Sequence, residues 1–328
     1  MKRVIVCFAA LVFVFALAGC GKDKSAGYPA RPVNLIVPFP AGGSSDMIAR
    51  VISERAARAL GQPIVVENRP GAGGNVGTEA AAHAAPDGYT LVQCTIGTCA
   101  INLAIYKNVG YDLDRDFQPI VLFASISNIL AVHPSVPARS VADLIAHAKK
   151  NPGKLSFGSS GYGSSPHLSG ELLKIASGTD ILHIPYRGSA PAITDLRGGQ
   201  IDMFFDNSPS ILPHIKSGDL RALAVTGTRR LVSLPDIPTM EEAGYPGFVI
   251  TPWFGLMTQK KTPAAVVEKL NYAFGEALTD IELLKRLATM EVTPGGGTPA
   301  EFAAFIDAER NRWGDLVKAR GIQAEELQ

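Results

Sequence analysis

The chain has 328 residues, and its 31 lysines and arginines almost balance 30 aspartates and glutamates, for a net charge of +1. That balance provides no electrostatic footprint for nucleic acid, so none is expected as a partner. A hydrophobic content of 46% in a chain of this length supplies a large core and suits two lobes better than one.

Met1-Lys2-Arg3 is a short positive start, Val4 to Leu17 is almost wholly apolar, and Leu17-Ala18-Gly19-Cys20 follows. This is a secretory signal pattern, too short for an ordinary membrane-spanning helix. The small residues ending in cysteine resemble a bacterial lipoprotein processing site. That resemblance implies removal of residues 1–19 and a lipid on Cys20; an ordinary signal peptide or an uncleaved anchor is the alternative. The expected location is the periplasm or cell envelope of a bacterium, anchored to a membrane. Residues 20–27 read as a polar tether. Once the signal has gone, Cys94 and Cys99 are left beside Cys20. They form a disulfide in an oxidising compartment or remain as two buried thiols. There is no Cys-x-x-Cys and no His-Glu-x-x-His, so neither metal nor cofactor is expected.

Val33 to Val37 is apolar and β-branched, and reads as a strand. Pro38-Phe39-Pro40-Ala41-Gly42-Gly43-Ser44-Ser45-Asp46 turns it into a helix carrying Met47, Ile48, Val51, Ile52 and Leu60, with Asp46 as a cap and Gly61 as the stop. Ile64-Val65-Val66 is a strand, about Asn75 to Ala84 a helix of small residues, and Tyr89 to Gln93 a strand. Ile120 to Ala124 and Ile129 to Val132 are further strands, and Val141 to Lys150 is a helix stopped by Asn151-Pro152-Gly153. Leu155-Ser156-Phe157 leads into a second turn, Gly158-Ser159-Ser160-Gly161-Tyr162-Gly163-Ser164-Ser165-Pro166-His167, before a helix bearing Leu168, Leu172, Leu173 and Ala176. Ile201 to Phe205, Leu220 to Val225 and about Val249 to Met257 are strand-like. Helices then follow over Glu268 to Ala277 (opened by Pro263 at its first position), Glu282 to Met290 and Pro299 to Gly314. Strands alternating with helices across short turns imply parallel sheets covered on both faces.

Both glycine- and serine-rich turns pass from strand to helix, and such a turn leaves backbone N–H groups at a helix N-terminus, a geometry that favours an anion. Enzyme motifs fit less well. No Gly-x-x-x-x-Gly-Lys-Ser/Thr is present, Val76 spoils a dinucleotide fingerprint at Gly71, Gly73, Gly74 and Gly77, and Gly158-Ser159-Ser160-Gly161 misses a nucleophile elbow by one residue. A hydrolase using Ser160 or Ser164 with His167 is the enzyme alternative, but an imidazolium is poorly placed at the positive end of a helix.

Over nearly its whole mature length the chain resembles the periplasmic substrate-binding proteins of tripartite tricarboxylate transporters, the Bug family. The likeness rests on Tyr28-Pro29 through Gly43, Val66-Glu67-Asn68-Arg69-Pro70-Gly71-Ala72-Gly73-Gly74, Pro86-Asp87-Gly88-Tyr89-Thr90-Leu91 and Gly158-Ser159-Ser160-Gly161. It extends to Ser164, His167-Leu168, His183-Ile184-Pro185-Tyr186-Arg187-Gly188, Gly199 to Asp206, Leu220 to Thr226 and Leu234 to Thr239. The resemblance implies an α/β, two-lobe periplasmic-binding-protein-like (type II) fold, with parallel-rich mixed sheets and a hinged ligand cleft. It implies no enzyme but a capture protein for a small carboxylate: tricarboxylate, dicarboxylate, aromatic acid or amino acid. The expected partners are that ligand and the large and small membrane subunits of a transporter, with presentation to a sensory pathway as the alternative, and a monomer is expected. The lobes are expected over 28–127 plus 248–328 and over 128–247.

Carried onto this chain, Phe39, Ala41, Gly42, Gly43, Ser44 and Ser45 form the first carboxylate cradle, and Ser160, Gly163, Ser164 and Ser165 the second. Thr95 and Thr98 line the floor, where Cys99 replaces the His or Asn common in the family. Arg187 is a candidate for a second carboxylate or for a surface or inter-lobe ion pair, and Tyr186 stands beside it. Asp206 faces the cleft to meet a ligand amine, a bridging water or a cap.

Overall fold

The computed structural model describes residues 27–322. The signal segment, Cys20 and nearly all of the tether lie outside the described residues. Among the described residues no helix is long and apolar enough to cross a membrane.

The chain runs β1 (Val33–Val37), α1 (Ser44–Leu60), β2 (Ile64–Asn68), α2 (Asn75–Ala82) and β3 (Thr90–Thr95), then a π-helical turn over Gly97–Ile101 into α3 (Asn102–Ile105) and α4 (Leu113–Asp116). β4 (Phe117–Ser125) is followed within two residues by β5 (Asn128–Val132), then α5 (Val141–Lys150), β6 (Ser156–Ser159), α6 (Ser165–Ser177), β7 (Leu182–Pro185) and α7 (Ser189–Arg197). β8 (Met203–Asn207), α8 (Ser208–Lys216), β9 (Arg221–Val225), β10 (Trp253–Gln259), α9 (Ala264–Thr279), α10 (Ile281–Thr289), β11 (Thr293–Gly296) and α11 (Pro299–Arg320) complete it.

These strands form two sheets, each the centre of one lobe. The first has order β11-β4-β10-β3-β1-β2, the second β7-β6-β8-β5-β9. Strand alternation explains why both faces of the first sheet are covered. Val33, Leu35 and Val37 join Leu91 in one core with Ile48, Ile52, Leu270 and Phe274 of α1 and α9. Ile36, Val92 and Cys94 point the other way, into a core with Trp253, Phe302 and Trp313. The C-terminal helices therefore close over the first sheet. Glu309 of α11 accepts from the indole Nε1 of Trp253 at 2.7 Å and of Trp313 at 2.8 Å, which satisfies two buried donors with one carboxylate.

β1 pairs in parallel with β2 and β3, and β6 with β7 and β8, as strand-helix-strand units dictate. β10 is antiparallel to β3 and β4, β11 to β4, and β5 to β8 and β9. The antiparallel strands include those that carry the chain between lobes: β4 leads directly into β5 in the other sheet, and β10 returns to the first. Their direction is set by the crossing, not by a helical crossover, so alternation of strands and helices alone does not reveal it.

Several helix ends differ from the sequence expectation for local reasons. Pro263 is the N-cap of α9 instead of its first residue, with extended ψ of 139°. α11 runs on to Arg320 and stops at Gly321, whose φ of 63° is left-handed. Asp46 lies within the first turn of α1, not at its N-cap, which is Gly43. Cys94 and Cys99 form a disulfide, which clamps the turn from β3 into the π-helical segment.

Candidate functional site

Four helices, α1, α6, α7 and α8, begin at one cavity between the two sheets. Its lining includes Gly43, Ser44 and Ser45 from α1, Ser164, Ser165 and Pro166 from α6, Gly188, Ser189 and Ala190 from α7, and Asn207 before α8. Thr95, Ile96 and Gly97 contribute the floor after β3, and Phe39, Pro40, Ala41, Ser160, Pro252 and Phe254 complete the wall. None of these side chains is charged. The cavity volume is about 40 Å³, room for about three waters in the present lobe arrangement.

The helix ends explain what such a cavity attracts. α1 starts at Gly43, α7 at Gly188 and α8 at Asn207, and none of the three has a side chain capping its first-turn amides. α6 differs: Ser164 Oγ accepts from the His167 N–H at 3.3 Å. Each helix N-terminus carries about half a positive charge, and several starting at one cavity sum to a potential that favours an anion without a cationic side chain.

Behind this lining sits Asp206, at the end of β8 and wholly buried. Its carboxylate accepts from Ser189 Oγ at 2.7 Å and from Ser210 Oγ at 2.6 Å. Burial pushes its pKa up to about 6, with the Ser210 and Ser189 bonds pulling the other way. Ser160 Oγ lies 2.9 Å from Ser189 Oγ, and Ser44 Oγ lies 2.9 Å from Ser210 Oγ. The Ser44–Ser210 bond crosses from one lobe to the other. So do a bond from Tyr106 Oη to the Tyr162 carbonyl at 3.2 Å and one from the Ser233 N–H to Glu291 Oε1 at 2.6 Å.

The residues expected from sequence distribute as follows. Phe39, Ala41, Gly43, Ser44, Ser45, Thr95, Ser160, Ser164 and Ser165 all line the cavity. Gly42 does not: its N–H donates to Asp46 Oδ2 at 3.0 Å, because Asp46 folds back over the first turn of α1. Burial raises the Asp46 carboxyl, but bonds from Arg50, Gly42 and Asn68 outweigh it and hold the pKa below the usual carboxylate value. Thr98 is buried beneath the floor, where its hydroxyl accepts from the Thr95 N–H at 3.1 Å. Gly163 directs its N–H to His167 Nδ1 at 3.3 Å. Tyr186 donates its hydroxyl to Asp195 at 2.7 Å, and burial followed by that acid pushes its pKa up to about 12. Arg187 is exposed, and like Tyr186 stands outside the lining. Asp206 lies one hydroxyl behind the wall.

The hydrolase alternative finds no geometry. Ser160 pairs with Ser189, Ser164 Oγ donates to the Gly161 carbonyl at 2.6 Å, and the His167 ring nitrogen facing this loop already accepts from Gly163. Burial, then His183, then Lys174 lower the His167 pKa to about 3, so the ring stays neutral. His167, Glu171 and His183 approach one another closely enough to suggest a metal. However, a His167 ring whose Nδ1 accepts an N–H carries its own proton on Nε2, and Glu171 is held by Lys174 at 2.9 Å. The cluster therefore lacks three free ligand atoms, and its rings bond instead to Ser159 at the end of β6 and to Gly163 in the loop between β6 and α6.

The profile of the tripartite tricarboxylate transporter family receptor, TctC, matches residues 48–322. The chain belongs to that family. TctC receptors are solute-binding proteins and not enzymes. Protein BugT of Bordetella pertussis is 40% identical over 317 residues, 96% of this chain and 97% of that protein. R. palustris Rpa4515, solved with adipate, superposes with a TM-score of 0.88 at 39% identity, covering 90% of this chain and 99% of the other. MatC from Rhodopseudomonas palustris, solved with malate, gives 0.85 at 33%, covering 88% and 100%.

Sequence reasoning did not select Gly188, Ser189, Ala190 or Asn207 as lining residues of this TctC receptor. The signal was present. Tyr186-Arg187-Gly188-Ser189-Ala190 and Phe205-Asp206-Asn207-Ser208-Pro209 are two more strand-to-helix turns built from small polar residues. They escaped because each has a single glycine or none, and the charged Arg187 and Asp206 drew attention from the neighbours that face the cavity.

Proposed function

We propose that this receptor captures a small carboxylate between its lobes in the periplasm and delivers it, unchanged, to the membrane subunits of a tripartite tricarboxylate-type transporter. We further place the lobe boundaries at 28–127 plus 248–328 and 128–247, and an anchoring lipid on Cys20. The observation that carries the reading is the convergence of uncapped helix N-termini on a cavity without any charged lining residue. Hydrogen bonds to an ionised carboxylate contribute roughly 1.5–3 kcal/mol each, so a few amides and hydroxyls suffice for capture. Adipate and malate in the relatives' structures favour a dicarboxylate as the first class to test. The apolar Phe39, Pro40, Pro252 and Phe254 suit the methylene chain of such a ligand.

A thermal-shift panel of mono-, di- and tricarboxylates tests this. At least one carboxylate is expected to raise Tm. Gly43→Asp should abolish the rise, because it puts a carboxylate at the mouth of the α1 cradle. The same change leaves the fold intact: a Cβ at Gly43 meets only the Pro40 carbonyl at 3.7 Å, and aspartate is a favourable N-cap. A Gly43→Asp protein that still responds to the ligand would overturn the first-cradle assignment.

A further inference from the structure

A buried acid behind an anion site opposes the anion, yet Asp206 is wired directly to both cradles. Its two oxygens end two chains of hydroxyls. One runs from Ser160 through Ser189 to Oδ1, the other from Ser44 through Ser210 to Oδ2. Each hydroxyl has a single proton. When the carboxylate is ionised it is acceptor-only, so Ser189 and Ser210 give it theirs. The Asn207 carbonyl, 3.0 Å from Ser210 Oγ, is the neutral and weaker competitor. The outer bonds then use the protons of Ser160 and Ser44, and both cavity-lining hydroxyls present lone pairs to the cavity. A ligand carboxylate arriving there meets acceptors. One proton on Asp206 reverses a branch: Oδ1–H donates to Ser189, Ser189 donates to Ser160, and the Ser160 proton is released to the cavity. With the proton on Oδ2 instead, the branch through Ser210 to Ser44 reverses; one proton turns one branch at a time, and the other oxygen goes on accepting.

We propose that Asp206 is a positioning residue that sets the direction of the Ser160 or the Ser44 hydroxyl, one branch per proton, and that carboxylate capture takes up one proton from solvent at Asp206. The inference rests on the carboxylate reading and adds its ionic linkage. A ligand bringing its own donor, such as a hydroxyl or ammonium, needs no such proton, so the same device discriminates between ligand classes. No neighbouring charge replaces it. On the elements packed against β8, β5 and β6 carry no titratable residue; α6 carries His167, Glu171 and Lys174, α7 Asp195 and Arg197, and α8 His214 and Lys216. Asp46 and Arg50 of α1 pair with each other, Lys174 pairs with Glu171, and Arg197 pairs with Asp219, while Asp206 bonds only to hydroxyls and backbone. Its raised pKa keeps the added proton within reach near neutral pH.

Isothermal titration with malate and adipate as probes, in buffers of different ionisation enthalpy at pH 7.5, counts protons taken up on binding. The native protein should take up close to one per ligand, and its affinity should fall by up to about tenfold per pH unit above neutrality. Asp206→Asn, whatever its affinity, should exchange none and give a flat pH profile. Binding by the native protein with no proton uptake and a flat profile overturns the inference while leaving carboxylate capture standing. Failure of every carboxylate to bind overturns both. The proton count on the native protein decides the matter even if Asp206→Asn does not fold.

Discussion

Replacing Gly163 by alanine puts a methyl group where the lobes meet. Gly163 has a φ of +76°, and a Cβ there would overlap Asn102 Oδ1 and lie 2.9 Å from Asn102 Cγ and 3.0 Å from Ile105 Cδ1. Both of those residues belong to the other lobe. Asn102 Nδ2 donates to Asn75 Oδ1 at 2.6 Å and to the Gly73 carbonyl at 3.1 Å. Moving it aside gives up both bonds, about 2 kcal/mol at a net 1 kcal/mol each. That loss falls on the closed arrangement alone, so ligand affinity should drop about 30-fold. The left-handed backbone costs alanine a further 1–2 kcal/mol or so, whether the lobes are open or closed, and appears as lost stability. Gly61→Ala isolates that part: its φ is +78°, with nothing within 4 Å of the added Cβ. Thermal unfolding should show both variants destabilised, and titration calorimetry should show only Gly163→Ala weakened. A Gly163→Ala protein with the parental Kd would refute the claim that these lobe contacts belong to the bound state.

Three other outcomes follow from the same geometry. The Asp206 pKa is raised from 3.8 to about 6, so between those values the folded state binds more protons than the unfolded chain; its contribution is full below pH 4 and is lost as pH rises through 6, by about 3 kcal/mol. Denaturant titrations from pH 4 to 7 should show that slope in the native protein and not in Asp206→Asn, and parallel curves would contradict it. Ser164→Ala removes the cap of α6 and should lower stability by about 1 kcal/mol, measured by urea unfolding. Glu309→Ala strands the indole donors of Trp253 and Trp313 in the core and should destabilise by roughly 2–4 kcal/mol in the same assay; a change below 1 kcal/mol would remove Glu309 from the packing account.

The two-lobe α/β plan could be read from the chain because β1 and the Leu155-Ser156-Phe157 segment entering β6 lead into glycine- and serine-rich turns, and α1 and α6 follow with helical spacing. Except for Gly42 and Gly163, the residues of both expected cradles line the cavity for the same reason: local turn chemistry places the backbone directly. What remained hidden depends on side chains meeting across long separations. Asp46 taking the Gly42 N–H is local but competes with a ligand for it, and spacing does not rank the two. Ser210 reaches Asp206 locally across the turn into α8, but Ser189 and Ser44 join them only when the sheets set the starts of α1, α7 and α8 side by side. Arg187 looked attractive as a cation, yet its exposed position and the commitment of Tyr186 to Asp195 leave the cavity to neutral donors.

Native mass spectrometry reads carboxylate capture without an intervening assay. The protein is mixed with a set of mono-, di- and tricarboxylates, the complex is isolated, and the ligand is released by denaturation. The native protein should form a one-to-one complex with a small carboxylate, recovered at its original mass, and Gly43→Asp none. No complex with any carboxylate, or a released molecule of altered mass, would contradict carboxylate capture.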